Sequence, residues 1–291
     1  MTSSLRPRRS VLYMPGSNAR ALEKAKTLPA DGYIFDLEDA VAPDAKETAR
    51  DQVCAAVQGG GYGARELIIR VNGLDTDWAS EDIKAASAAG PDAILLPKVE
   101  LPEQVVTLAQ MMHDFGAPET TKIWVMMETP RAMFATLEIA SAHERLDCFV
   151  MGTSDLVKDL QAHHTPMRLP VVTSLSLCLL AARAEGLTIL DGVYADLKDE
   201  AGFAQSCQQG LELGFDGKTL VHPNQVSAAN AAFAPDAAEV DFSRRIIAAH
   251  EEASKQGKGI AVVDNKMIEN LHVENARRLV ALSDAIEQMG G

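Results

Sequence analysis

The feature that most constrains this chain is a cadence: short apolar runs alternate with helical stretches eight times in succession. The runs fall at residues 11–14, 33–37, 67–71, 93–97, 123–127, 148–151, 187–190 and 217–221. IWVMM at 123–127 is apolar throughout, the pattern of a strand covered on both faces within a parallel sheet. Eight βα units in about 225 residues is the count of a TIM (β/α)8 barrel with right-handed crossovers. A doubly wound sheet needs fewer strands, and no GxGxxG follows the first run, so the sequence predicts the barrel. Residues 1–234 are expected to form it, with residues 1 to about 9 a loose basic arm. A C-terminal helical extension follows at 235–291: a charged helix 236–256, a turn 257–259, a short strand 260–263 and a last helix 273–289. This extension reads as lacking a core of its own, and is expected to pack on the barrel or on a neighbouring subunit.

Charge and cysteine usage exclude several partners. A net charge of −14 is the wrong sign for a nucleic-acid backbone, though local basic residues leave room for one phosphorylated small molecule. Cys54, Cys148, Cys178 and Cys207 form no CxxC pair, so they read as reduced thiols and not as a zinc site or a disulfide framework. No apolar run reaches the roughly 18 residues of a membrane span. The basic start, MTSSLRPRRS, is not followed by the apolar core of a signal peptide. A cytoplasmic location away from membranes is expected.

In a barrel of this kind the chemistry is carried by residues just past each strand. There the chain places Pro15, Gly16 and Ser17; Asp36, Glu38 and Asp39; Arg70 and Asn72; Lys98; Glu128; Thr153 and Asp155; Asp191 and Tyr194; and His222. Glu128 and Asp155 are hard oxygen donors with no His or Cys nearby, a combination that favours Mg²⁺ completed by water and substrate oxygens. Helix capping or ion pairing explains the same two residues, and spacing does not choose. Arg70 is costly to bury unpaired. Its fork suits a substrate carboxylate or a developing enolate, and equally a structural pair with Asp36, Glu38 or Asp39. Those three acids read as a supporting layer more than as direct ligands. Arg20 and Lys24 share one helix face at i and i+4, where they meet either a ligand phosphate or water. His163 and His164 read as surface residues, and His222 as a rim residue or a loop hydrogen-bonder.

Taken together the motifs are recognisable. RSVLYMPGSNARALEKA, FDLEDAVAPDAK, IIRVNG, LLPKVE, METPRA, MGTSDL, GFDGKTLVHPNQV and VVDNKMIENLH resemble, in order, the citrate lyase beta-subunit-like family, which includes malyl-CoA lyases and malyl-CoA thioesterases. The resemblance runs from about Arg9 to Arg278. It implies a Mg²⁺-dependent TIM barrel acting on carboxylated 3-hydroxyacyl-CoA thioesters. It further implies Glu128 and Asp155 as metal ligands, Arg70 as the substrate arginine, Ser154 as a substrate contact beside Asp155, and Arg20 and Lys24 as contacts to the CoA moiety. Asp264, within VVDNKMI, matches a catalytic aspartate that reaches into a neighbouring subunit's site, which implies a homo-oligomer, a trimer or hexamer. Asn265 stands where the family usually has Gly, and Glu269 where Asp is frequent. LCLLAARAEGLTILDGVY resembles the thioesterase branch, so thioester hydrolysis to malate and CoA leads. Malyl- or citramalyl-CoA cleavage to glyoxylate or pyruvate plus acetyl-CoA, a citryl-CoA lyase subunit, and a catalytically silent CoA-binding subunit are the alternatives.

Overall fold

A computed structural model describes residues 6–256 and 260–290. Eight parallel strands close into a barrel in chain order: β1 (Ser10–Pro15), β2 (Gly32–Asp36), β3 (Glu66–Arg70), β4 (Ala93–Leu96), β5 (Lys122–Met127), β6 (Leu146–Met151), β7 (Thr188–Asp191) and β8 (Gly217–Leu220). The ring shuts where β1 pairs with β8, Ser10 opposite Lys218 and Leu12 opposite Leu220. Between the strands run α1 (Ala19–Ala25), α2 (Lys46–Gly59), α3 (Ala79–Ala89), α4 (Pro102–Asp114), α5 (Pro130–Met133), α6 (Thr136–Ala140), α7 (Thr153–Asp159), α8 (Leu169–Ala184) and α9 (Glu200–Leu213), with α10 (Val226–Phe233) after β8. The chain therefore folds as the (β/α)8 barrel its cadence predicts.

Alternate residues of a strand face opposite sides, and here that parity sorts the core into two layers. Val11, Ile34, Ile68, Trp124, Met126, Cys148, Val150 and Leu190 fill the barrel interior. Their neighbours Leu12, Phe35, Ile69, Val125 and Phe149 join the larger layer between barrel and helices. Each such side chain contributes roughly 1.5–3 kcal/mol by leaving water, so the two layers carry the fold and the rim residues are left for chemistry. One further step of the same parity brings Tyr13, Asp36, Arg70 and Glu128 to the inner side at the carboxyl ends of the strands.

The opposite end of the barrel is sealed by the supposed arm. Arg8 donates to both carboxylate oxygens of Glu66 at 2.7 and 2.8 Å and to Asp147 at 2.5 Å, with its guanidinium 4.8 Å from the Trp124 ring centre. Arg9 pairs with Asp31 at 2.8 and 2.9 Å. The expectation of a loose arm thus fails for these two residues, because carboxylates wait for them at the amino ends of the strands. Residues 1–5 of that arm lie outside the described residues.

Residues Arg8–Phe233 form one compact unit, and the described residues of Ala234–Gly291 belong to another. In the latter, α11 (Ala237–Lys255) and α12 (Asn270–Gln288) embrace a hairpin of β9 (Ala261–Val263) and β10 (Lys266–Ile268). Ile246, Ala253, Ala261, Val263, Ile268, Val273 and Ala276 pack together, so the segment has a small core of its own, contrary to expectation. The second hairpin strand also went unread. Its signal is Asp264–Asn265, two residue types that tolerate positive φ and so suit a tight turn between paired strands. Both adopt it, at φ 49° and 61°, so Asn265 serves where Gly is usual. The expected turn at 257–259 lies outside the described residues.

Candidate active site

A cavity of about 390 Å³ opens at the carboxyl ends of the strands. Arg70, Glu128, Ser154 and Asp155 all line it, with Asp36 and Asp39. Residues from the end of β3, the end of β5 and the first turn of α7 are thereby brought together. Arg20 and Lys24 do not line this cavity; both are exposed on α1. Asp264 belongs to the hairpin turn of the C-terminal unit, where its carboxylate accepts from Arg245 at 2.9 and 3.0 Å.

Arg70 is buried and gripped by Asp36, whose two oxygens accept from Nε at 2.7 Å and Nη2 at 2.6 Å. Asp36 in turn accepts from the backbone of Glu38 and Ala40, so its lone pairs are occupied. Burial is the largest influence and works against the Arg70 charge, but Asp36, Tyr13 and Glu38 together more than offset it and hold the guanidinium protonated. Arg70 Nη1 lies 2.9 Å from Glu38 Oε2 in an ion pair that lacks hydrogen-bond alignment, leaving that oxygen without a hydrogen bond. Asp39 is a looser neighbour at 4.0 Å. The structural pairing foreseen for Arg70 is therefore real. Asp36 takes the edge formed by Nε and Nη2, while on the other edge Nη1 is ion-paired with Glu38 and donates to the Met126 sulfur at 3.4 Å.

Glu128 stands just past β5. Its Oε1 accepts from the backbone N–H of Lys98 at 2.8 Å, and among the described residues Oε2 has no donor. Burial pushes its carboxyl up to about 7; the Lys98 amide and Arg70 oppose this, while Glu38 and Asp155 add to it. Lys98 holds the geometry from two ends. Its backbone is left-handed at φ 54°, uncommon for a residue with a side chain. Its Nζ reaches Glu38 Oε1 at 2.7 Å. Asp155 sits in the first turn of α7, beside the same cavity, with Lys158 3.8 Å away.

This donor set fits a magnesium ion. A buried carboxylate whose charge is disfavoured by burial and by two neighbouring carboxylates gains from a cation, and Mg²⁺ asks for only one or two protein carboxylates. Among the described residues no group of three or more His, Cys, Asp or Glu is placed to ligate a metal, so an all-protein cage is not what these residues offer.

Other rim residues behave differently. Asp191 was counted with the site, yet it is sealed outside the barrel interior between Arg168, at 2.7 and 2.8 Å, and Lys218, at 2.8 Å. Parity explains this: Leu190 faces inward, so Asp191 faces the helices. His222 Nδ1 accepts from the Asn224 amide at 3.2 Å, the loop role among its two readings. Tyr13 also lines the cavity, from within β1 and not past its end; strand parity, two residues on from Val11, is the signal that places it on the inner face.

A sequence profile of the HpcH/HpaI aldolase/citrate lyase family matches residues 9–223. The chain belongs to that family. It is 49% identical over 290 residues to the (3S)-malyl-CoA thioesterase of Cereibacter sphaeroides, covering 100% of this chain and 99% of that one. To the citrate lyase subunit beta of Leuconostoc mesenteroides subsp. cremoris it is 36% identical, over 96% of this chain and 94% of that one. Among solved structures, CitE of Mycobacterium tuberculosis in complex with magnesium, acetoacetate and coenzyme A superposes with a TM-score of 0.72 at 25% identity, covering 94% of this chain and 97% of that one.

Proposed function

We propose that this protein is a Mg²⁺-dependent enzyme that hydrolyses (3S)-malyl-CoA to malate and CoA. The observation that carries the reading is the gathering of Glu128, Asp155 and Arg70 on one cavity, in a chain nearly half identical to a malyl-CoA thioesterase from end to end. Glu128 and Asp155 would hold the ion. When bound, Mg²⁺ supplies charge and a fixed geometry for the substrate's carboxylate and hydroxyl oxygens. Arg70 would turn Nη1 from the Met126 sulfur to the acyl carbonyl, whose oxygen gains negative charge as water attacks the thioester carbon and the CoA thiolate departs. Asp36 fixes the plane and charge of Arg70, and Lys98 fixes Glu128 and Glu38. Arg20 and Lys24, exposed on α1, would meet the phosphates of CoA.

Asp264 is read as a proton-transfer residue supplied to a neighbouring copy's cavity. It stands on the tip of a hairpin whose outer face exposes Val262 and Met267, at 67% and 58%, apolar surface suited to a partner. On this reading the working unit is a homo-oligomer, and its place is the cytoplasm. Among the described residues no helix is long and apolar enough to cross a membrane.

A second reading has its own support. Relatives named as citrate lyase subunits suggest carbon–carbon cleavage, in which the same residues stabilise the enolate of acetyl-CoA while glyoxylate departs. The test is to incubate the purified protein with malyl-CoA and Mg²⁺ and to assay free thiol and glyoxylate separately. Thiol without glyoxylate supports hydrolysis. Glyoxylate in step with acetyl-CoA makes the enzyme a lyase, and neither product overturns both.

A further inference from the structure

Two hydrogen-bond donors in the cavity converge on an atom that is a poor acceptor. Tyr13, on the inner face of β1, directs its hydroxyl to the Met126 sulfur at 3.8 Å. Arg70 Nη1 approaches the same sulfur at 3.4 Å. A thioether accepts weakly, and a phenol this far inside a protein ordinarily finds an oxygen or nitrogen. Among the described residues none is offered to Tyr13. All three side chains line the cavity, and methionine is the side chain best able to change rotamer and yield its place.

We propose that Tyr13 is a catalytic residue: its hydroxyl and Arg70 Nη1 together form a two-donor site for the thioester carbonyl oxygen of bound acyl-CoA, with Met126 swinging aside. This rests on the functional reading above and names the group that the second donor touches. The carbonyl oxygen gains charge whether water adds to the carbon or an enolate forms, so the pair serves either outcome. Donors that strengthen only as charge develops act on kcat more than on KM. Tyr13 also lies with its ring centre 4.9 Å from the Arg70 guanidinium, which offers a purely supporting role as the rival explanation.

Tyr13→Phe separates the two, since it keeps the ring and removes one oxygen. We expect kcat for malyl-CoA to fall about 100-fold, as for loss of one oxyanion donor, with KM and Mg²⁺ affinity changed less than threefold. A readout independent of turnover is the near-ultraviolet absorbance of bound acetoacetyl-CoA enolate, which the wild-type protein should enrich and Tyr13→Phe should reduce about tenfold. A variant that matches wild type in both enolate signal and kcat overturns the assignment, as does a loss confined to KM. Wild-type protein that enriches the enolate without turning over malyl-CoA would sink the functional reading and leave Tyr13 in its role. Protein that does neither sinks both.

Discussion

Gly152 and Glu128 occupy one another's space: a Cβ built on Gly152 would collide with both Cβ and Oε2 of the glutamate. The backbone of Gly152 is ordinary, at φ −99°, so the need for glycine is steric and comes from the neighbouring strand end. Gly152→Ala should therefore displace the Glu128 carboxylate. We expect Mg²⁺ affinity to fall at least tenfold by calorimetry and turnover at least 100-fold, while the thermal midpoint changes by only a few degrees. Unaltered metal affinity would show that Glu128 is not a ligand.

The raised Glu128 carboxyl makes a statement about stability and pH. Between its ordinary value of 4.5 and about 7, the folded protein holds a proton that the unfolded chain has released. Metal-free stability should fall as pH rises through that window, by on the order of 3 kcal/mol. Melting curves in EDTA from pH 4.5 to 8 should show this slope in the wild type and lose most of it in Glu128→Gln. Added Mg²⁺ should restore the wild type above pH 7 and leave Glu128→Gln little changed. Parallel slopes for the two proteins would contradict the burial of this charge.

Arg70→Lys conserves charge and should still be severe. Asp36 takes two parallel N–H donors, which an ammonium cannot supply while also serving the cavity. The expected result is a loss of about 100-fold or more in kcat with the Mg²⁺ affinity retained. An effect on KM alone would make Arg70 a ground-state anchor.

If Asp264 serves a neighbour's cavity, two dead proteins should revive one another. Arg70→Ala and Asp264→Ala subunits, each inactive, are to be dissociated, mixed and reassociated. Sites combining an intact Arg70 from one chain with an intact Asp264 from another should restore up to about a quarter of the wild-type activity at equal mixing, if the chains pair at random. No recovery, in oligomers shown by mass to contain both chains, would place Asp264 in its own subunit or outside the chemistry.

What was legible in the sequence followed from periodicity. The eight strands were marked by apolar runs, and Glu128, Asp155 and Arg70 by their positions at strand ends. Depth and direction were harder. Asp191 has the same address as Arg70, at the end of a strand, yet opposite parity turns it to the helices. Arg8 looked like part of a solvated tail because its partners, Glu66 and Asp147, lie 58 and 139 residues away in sequence. The second strand of the C-terminal hairpin hid in three residues, one of them charged, and the Asp264–Asn265 pair was its signal. Lys98 shows in the sequence only as a residue past β4, since a left-handed backbone has no signature in a lysine.

The pairing of β1 with β8 sets the order in which this molecule can be made. Ser10 waits for Lys218, so roughly 200 further residues must leave the ribosome before the first strand finds its second neighbour. Until then the nascent sheet keeps two open edges, the situation in which chains pair with one another. Contacts so distant along the chain also slow folding. Truncated products ending before residue 217 should accumulate as aggregates, and chaperone supply during synthesis, more than the stability of the finished barrel, should govern the yield of active protein.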